Sequence, residues 1–277
     1  MKTIVTHLSP DLDAVTSVWL IKKYLPKWQD AKVAFVASGA LWNEIAVDSD
    51  PDIIYVDTGL GKFDHHQTTD RTCATKKVFN FLQYHEYIPS KYIEGLSRFV
   101  TLITQLDHFS EVSFPEPASD RYDICLHQLT GTLKYVVGSD ERVIECILPI
   151  LESAQALFVN KVIAESEINK GYIFNSKWGK SIIISTDNKE AMKLAQKMGY
   201  MLVITKTLNK GFVRIKIPPF IKEDLQPLYE KIIKADPKAY WYFHVSKHML
   251  LNDPTQKPDS VPSSLSLKQL VALVKEI

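Results

Sequence analysis

Lys2-Thr3-Ile4-Val5-Thr6-His7-Leu8-Ser9-Pro10-Asp11-Leu12-Asp13 runs directly into Ala14–Tyr24. Residues 2–6 read as a buried strand, and Ala14–Tyr24 as a helix with Val15, Val18, Trp19, Leu20 and Ile21 facing inward. Two further apolar runs, Ala31–Ala37 and Asp52–Val56, are strands of the same kind, and Gly61–Phe63 begins a fourth. Apolar strands alternating with a helix predict an α/β unit built on a doubly wound, mainly parallel sheet. Such sheets bind ligands beyond the carboxyl ends of their strands. His7 and Asp57 fall at that edge.

Beyond Cys73 the period becomes helical, over Ala74–Tyr84, Lys91–Leu106, Tyr122–Val137 and Arg142–Ile168, with Phe114–Asp120 as a loop. Asn169-Lys170-Gly171 stops the last helix. These signals predict a first domain over 1–169, a sheet with a helical block. A smaller C-terminal α/β or α+β domain covers 170–277. Its strands lie near Tyr172–Asn175, Ser181–Ser185, Met201–Thr205, Phe212–Ile217 and Tyr240–Val245. Its helices lie near Asn188–Met198, Lys222–Ala235 and Ser266–Lys275.

The net charge of +1 conceals a split, −8 over residues 1–169 and +9 over 170–277. An acidic half suited to cations is thus joined to a basic half suited to phosphate, although solvated lysine faces on helices give the same count. Near-neutral total charge disfavours tight binding of long duplex nucleic acid. The three cysteines, Cys73, Cys125 and Cys146, have no paired spacing and fit reduced thiols in a cytoplasmic protein. The sequence shows neither an N-terminal signal-peptide region nor an apolar stretch of membrane-spanning length, so no membrane role is expected.

Three polar clusters follow the first strands: His7, Asp11 and Asp13; Asp57; and Asp64-His65-His66-Gln67. Taken singly, Asp11 and Asp13 fit a helix cap, Asp57 a turn, and the two histidines a surface loop. Taken together they gather carboxylates and imidazoles, without a thiolate, at one sheet edge. That set disfavours structural zinc and an all-oxygen calcium or magnesium cage. Two divalent cations fit it, with Mn2+ first and Mg2+, Co2+ or Fe2+ also compatible. Asp64 is expected to orient His65 from behind.

Thr6-His7-Leu8-Ser9-Pro10-Asp11-Leu12-Asp13-Ala14-Val15-Thr16-Ser17, Tyr55-Val56-Asp57-Thr58-Gly59 and Phe63-Asp64-His65-His66-Gln67 resemble the signatures of the Asp-His-His (DHH) phosphoesterase superfamily. That superfamily includes single-strand exonucleases, oligoribonucleases, cyclic-dinucleotide phosphodiesterases and manganese-dependent inorganic pyrophosphatases. The last segment is also similar to the melanocyte-proliferating-gene family of metal-dependent exonucleases. The resemblance covers roughly residues 1–110 and weakens beyond. It implies one metal on His7, Asp11 and Asp57, and a second on Asp13, Asp57, His65 and Asp107, with Asp57 bridging. Asp107, in Thr104-Gln105-Leu106-Asp107-His108-Phe109, matches the superfamily's further ligand after a helix. His66 would contact the scissile phosphate, which makes Asp57, His65 and His66 the expected catalytic residues.

The resemblance does not extend to the C-terminal half, which has neither the Gly-rich loop ending in His of the nucleases nor the basic segment of the pyrophosphatases. Candidate substrate contacts there are His244, Lys247, Arg214 and Lys257. Of the other histidines, His85 and His127 read as structural or exposed, while His108 is unassigned. The expected activity is two-metal hydrolysis of phosphodiester bonds in a nucleotide or short single-stranded oligonucleotide, which would enter between the domains. An inorganic pyrophosphatase or other small-phosphate hydrolase is the first alternative, and a metal- and nucleotide-binding sensor without turnover the second. The sequence leaves the oligomeric state open.

Overall fold

A computed structural model describes residues 1–253 and 258–277. The chain divides into two units, Met1–Val159 and Asn160–Ile277. The N-terminal unit opens with β1 (Thr3–His7), α1 (Leu12–Tyr24), β2 (Lys32–Val36) and β3 (Ile53–Tyr55). The strands form a parallel sheet in the order β2-β1-β3. β1 is central, and Thr3, Ile4, Val5 and Thr6 are all buried in it. Gly61–Phe63, expected as a fourth strand, is a turn, because the Asp57 amide donates back to the Phe63 carbonyl at 3.0 Å.

Ile4, Ile54 and Val56 pack into the main core with Val15, Val18 and Trp19 of α1. Val5, Ile53 and Tyr55 face the other way, against Trp42, Ile45 and Val47 of the segment between β2 and β3. The Tyr55 hydroxyl donates to the Ile45 carbonyl and accepts from the Trp42 amide, both at 2.9 Å, which ties that segment down. Burial on both faces explains why these strands are continuous apolar runs.

α2 (Ala74–Tyr84) and α3 (Ser90–Asp107) complete the layer over α1, followed by α4 (Leu126–Val137) and α5 (Asp140–Asn169). The first turns expected of α4 are a short 3-10 turn, Asp120–Tyr122, and a loop. α3 approaches α5 so closely that a Cβ on Gly95 would lie 2.9 Å from the backbone nitrogen of Val159. α5 is long and apolar enough to cross a membrane by length and composition, which corrects the expectation that no such stretch exists. Its Val143, Ile144, Ile147 and Leu151 are nevertheless buried in the N-terminal core. The division between units falls inside α5, not at its end. The reason is local packing: Ile168, in the last turn, joins a cluster with Ile182, Ile184 and Met192 of the C-terminal unit.

The C-terminal unit contains β4 (Tyr172–Ser176), β5 (Gly179–Ser185), α6 (Glu190–Lys197), β6 (Leu202–Lys206) and β7 (Val213–Lys216). Next come α7 (Gln226–Ala235), β8 (Tyr242–Phe243), β9 (Met249–Asn252) and α8 (Leu267–Lys275). The mixed sheet has the order β4-β5-β6-β7-β9-β8, in which only β5 and β6 run parallel. β9 went unread in the sequence, where a four-residue strand directly after a polar turn gives no lasting alternation. Asp236 is buried at the base of this unit and accepts from the Ser263 and Ser264 hydroxyls at 2.7 and 2.8 Å. The side chain of Ser266 and that of Gln269 then form a capping box that starts α8.

Candidate metal centre

β1 and β3 end side by side, which brings His7 and Asp57 together. Asp57 follows the strand with φ +55°, a left-handed conformation that turns its carboxylate back over the sheet edge. His7 Nε2 lies 3.3 Å from Asp57 Oδ2, and His65 Nε2 lies 3.2 Å from Asp57 Oδ1. The two oxygens of one carboxylate therefore face two different imidazoles. On the first side Asp11 joins, with ligand atoms of His7, Asp11 and Asp57 all within 4.8 Å of one another. On the second side His65 Nε2 is 3.7 Å from Asp107 Oδ2 and 3.9 Å from Asp13 Oδ2. A cleft of about 400 Å³ opens over the cluster, lined also by Ser38, Thr58 and His66.

All six residues expected as ligands, His7, Asp11, Asp13, Asp57, His65 and Asp107, thus come to one place, although they are up to a hundred positions apart in the chain. Two of the carboxylates also build the scaffold. Asp11 caps α1, its Oδ1 accepting from the Ala14 amide at 3.0 Å. Asp13 accepts from the Ala74 and Thr75 amides at 2.7 and 2.8 Å, holding the N-terminus of α2.

Asp64 does not orient the His65 ring as expected. Its carboxylate accepts from the ring of His66 (Nδ1 to Oδ1, 2.6 Å), not from the ring of His65. It takes the His65 backbone amide at 2.7 Å and the Leu60 amide at 2.7 Å. The reason is chain geometry: the tight turn wraps its amides around Asp64, and the exposed ring of His66 folds back onto the same oxygen. The Asp64 carboxyl is lowered, its His66 and backbone bonds outweighing burial.

Two features escaped the sequence. His108 joins His65 and Asp107 in a third cluster, and its Nε2 is 2.9 Å from the Thr72 carbonyl and 3.9 Å from Asp107 Oδ2. Its position directly after Asp107 was the available signal. Lys134 of α4 reaches Ser9 Oγ at 3.1 Å and the buried Asp140 at 3.0 Å. Ser9 has φ +54°, so this pair latches a left-handed residue in the loop between His7 and Asp11. Nothing in the local sequence pointed to it, since the partners are more than 120 residues apart.

The electrostatics are those of crowded carboxylates. Burial, reinforced by Asp57 and Asp107, pushes the Asp13 carboxyl up to about 7. Burial, with Asp57 and Asp11 adding to it against His65, lifts Asp107 to about 6. Asp11 is raised by burial and by Asp57. Burial would raise Asp57 as well, but His65 and His7 hold it down at about 2. The His7 imidazole is disfavoured as a cation by burial, yet Asp57, the Leu8 carbonyl and Asp11 push it up to about 9. Contact with Asp57 outweighs burial at His65, and with Asp107 and Asp13 beside it the ring also reaches about 9.

These observations fit a divalent cation. In the metal-free protein the two oxygens of buried Asp57 are faced by the imidazoles of His7 and His65, at 3.3 and 3.2 Å, and a bound cation would take the place of their protons. Oxygen and imidazole donors converge on the same volume without a thiolate. Cys73 is buried beside Thr104, 3.3 Å from its hydroxyl.

The C-terminal candidates are arranged differently. His244 and Lys247 share the turn between β8 and β9, where the His244 ring contacts the Ser246 hydroxyl at 2.8 Å. Lys247 pairs with Asp224 at 3.4 Å. Arg214, on β7, donates from Nε to Asp253 at 2.6 Å, and Asp253 is buried. Lys257 lies outside the described residues.

No family model and no curated protein sequence matches the chain. Among solved structures, it is similar to an uncharacterized protein from Helicobacter pylori, at 13% identity and a TM-score of 0.29, covering 100% of this chain and 98% of that one. It is also similar to the DHH domain of a protein described as a member of a family of ribosomal proteins, at 9% identity and a TM-score of 0.32, covering 99% and 86%. A third is RecJ from Thermus thermophilus in complex with Mg2+, at 11% identity and a TM-score of 0.30, covering 99% of this chain and 49% of that chain. Overlaps this loose carry no statement about family or activity.

Proposed function

We propose that this chain is a metal-dependent phosphoesterase that hydrolyses phosphodiester bonds in nucleotides or short single-stranded oligonucleotides. The observation that carries the proposal is Asp57, whose two carboxylate oxygens face His7 and His65 in separate clusters, at 3.3 and 3.2 Å. A carboxylate shared between two imidazole-bearing clusters is one that two divalent cations could use together.

His7, Asp11 and Asp57 would hold one cation, and Asp57, His65 and Asp107 the other, with Asp13 facing His65 across the same space. Mn2+ suits this mixed donor set best. Bound divalent cations supply Lewis acidity toward a phosphate and an activated water. The chain's own residues do the rest. Asp13 and Asp11 fix the two helix starts that frame the cleft, so the ligands are held before substrate arrives. Asp64 fixes the ring of His66 at the rim of the cleft, where it meets a phosphate oxygen. On this reading a water, not a side-chain hydroxyl or thiol, would be the nucleophile.

The test is hydrolysis of a labelled dinucleotide and of pyrophosphate, each with Mn2+, by the wild type and by Asp57→Ala and His65→Ala. The proposal expects dinucleotide cleavage that both substitutions abolish with the fold retained. Preferential phosphate release from pyrophosphate would move the reading to a small-phosphate hydrolase. Full activity in either variant would reject the site.

A further inference from the structure

A second cavity, of about 630 Å³, lies wholly within the C-terminal unit and has no part in the proposed hydrolysis. Its size is in the range of small-molecule sites. We propose that it binds an organic anion whose body is an alkyl chain or aryl ring, with a phosphate or carboxylate head.

The floor of the cavity is apolar. Ile183 and Val271 are buried there, and the ring of Tyr172 is more than half exposed above them. Tyr172 stacks on Phe174 with ring centroids 6.1 Å apart and planes 18° from parallel, which leaves an aromatic ledge open to solvent. Exposed apolar surface of this kind gains from being covered.

The charges lining the cavity are all of one sign. Lys170, Lys268 and Lys275 line it, and among the described residues no aspartate or glutamate does. Among those residues, too, none of the three lysines has a carboxylate partner, unlike Arg214 and Lys247 of the same unit.

Topology puts two of these lysines at one end. Tyr172 pairs with Ile183, so Lys170 and Gly171 lie beside Ser185. Ser185 pairs with Lys206, whose ammonium donates to the carbonyl of Leu265 just ahead of α8. Lys268, in the first turn of α8, therefore shares that end with Lys170 and the Ser185 hydroxyl. Lys275 sits toward the other end, 5.9 Å from the ring centroids of both Tyr172 and Phe174. Lys275 follows Lys268 by seven positions along α8, a rise of about 10 Å. An anionic head at Lys170, Lys268 and Ser185, with an apolar body running along α8 over Tyr172, satisfies both features of the cavity.

The full chain, held in EDTA so that the metal centre takes no part, is titrated with 1-octyl phosphate while backbone amide shifts are recorded. The proposal expects saturable shifts confined to residues 170–172, 183–185 and 267–275, with 1-octanol binding at least tenfold more weakly. Lys170→Gln combined with Lys268→Gln, both exposed, should lower the affinity at least tenfold, and Ala272→Trp should block the cavity. Should Ala272→Trp fail to fold, the lysine pair alone decides. Octanol binding as tightly as octyl phosphate would reduce the cavity to a greasy surface and overturn the proposal. So would affinity that ignores both lysines, or a nucleoside 5′-monophosphate that shifts these amides where octyl phosphate does not.

Discussion

Charges are treated in opposite ways in the two units. Around Asp57, carboxylates crowd together, and burial and mutual repulsion lift Asp11, Asp13 and Asp107 above the ordinary carboxylate range. In the C-terminal unit, two of the candidate substrate cations are already paired, Arg214 with Asp253 and Lys247 with Asp224. A protein that leaves like charges uncompensated in one spot loses stability there, and function is the usual reason. Arg214, paired with the buried Asp253, is a structural cation, whereas the Lys247–Asp224 pair is partly open to solvent. Sequence reveals the charge in both cases; only geometry shows whether it is already engaged.

The most severe break of this contrast is Asp57→Ala. It removes the carboxylate shared by the two imidazoles, so we expect metal-dependent hydrolysis to fall by about three orders of magnitude or more. Calorimetric Mn2+ binding should fall with it. Unaltered Mn2+ binding would show that the carboxylate does not bridge the site.

Proton competition sharpens the same point. In the metal-free protein His7 and His65 hold their protons up to about 9, against an ordinary 6.5, and Asp13 holds its proton up to about 7, against 3.8. Each folded-state value lies above its unfolded one, so these groups favour the fold at low pH and that contribution is lost as pH rises. Asp57, lowered to about 2, works the other way only below 3.8. Metal-free stability should therefore decline as pH rises from about 4 to 9. Mn2+ affinity should rise over the alkaline part of that range, by about tenfold per pH unit for each proton displaced. Denaturant melts and calorimetry in buffers of different ionisation enthalpy check both. Metal-free stability that climbs between pH 5 and 8 would contradict the assignment.

How much of this could be read in advance follows from the reach of each interaction. The strand-loop-helix start, the turn at Asp57 and the meeting of His7, Asp11, Asp13, Asp57, His65 and Asp107 are legible because most of these residues sit beside a periodic apolar run that fixes their place. The partner of Asp64 was misread, since choosing between the rings of His65 and His66 depends on how a tight turn folds its amides around one carboxylate. Lys134 was invisible, because a latch between α4 and the loop after β1 leaves no local trace. β9 was missed because its apolar run is too short to show a period, and Gly61–Phe63 was mistaken for a strand where a single backbone hydrogen bond closes a turn.

Asp13 tests whether scaffold and chemistry separate. Asp13→Ala strands the Ala74 and Thr75 amides, at a cost of about 2 kcal/mol in stability. Asp13→Asn keeps an acceptor for one of them and should recover part of that loss, while activity stays low if the charge itself is needed. Equal activity in Asp13→Asn and wild type would assign Asp13 to the scaffold alone. Thermal melts alongside rate measurements separate the two.

In the C-terminal unit the expectations concern stability. Arg214→Ala leaves the buried Asp253 without its guanidinium, so we expect a loss of about 3 kcal/mol, read from denaturant melts, with kcat for metal-dependent hydrolysis little changed. Lys247→Ala breaks a pair that is partly open to solvent on both sides, and the change should stay within about 0.5 kcal/mol. If Lys247→Ala instead raised KM severalfold at unchanged stability, its pairing with Asp224 would be a resting arrangement that substrate displaces. The contrast between the units would then fail at that residue, because a cation taken as engaged would be one the substrate can recruit.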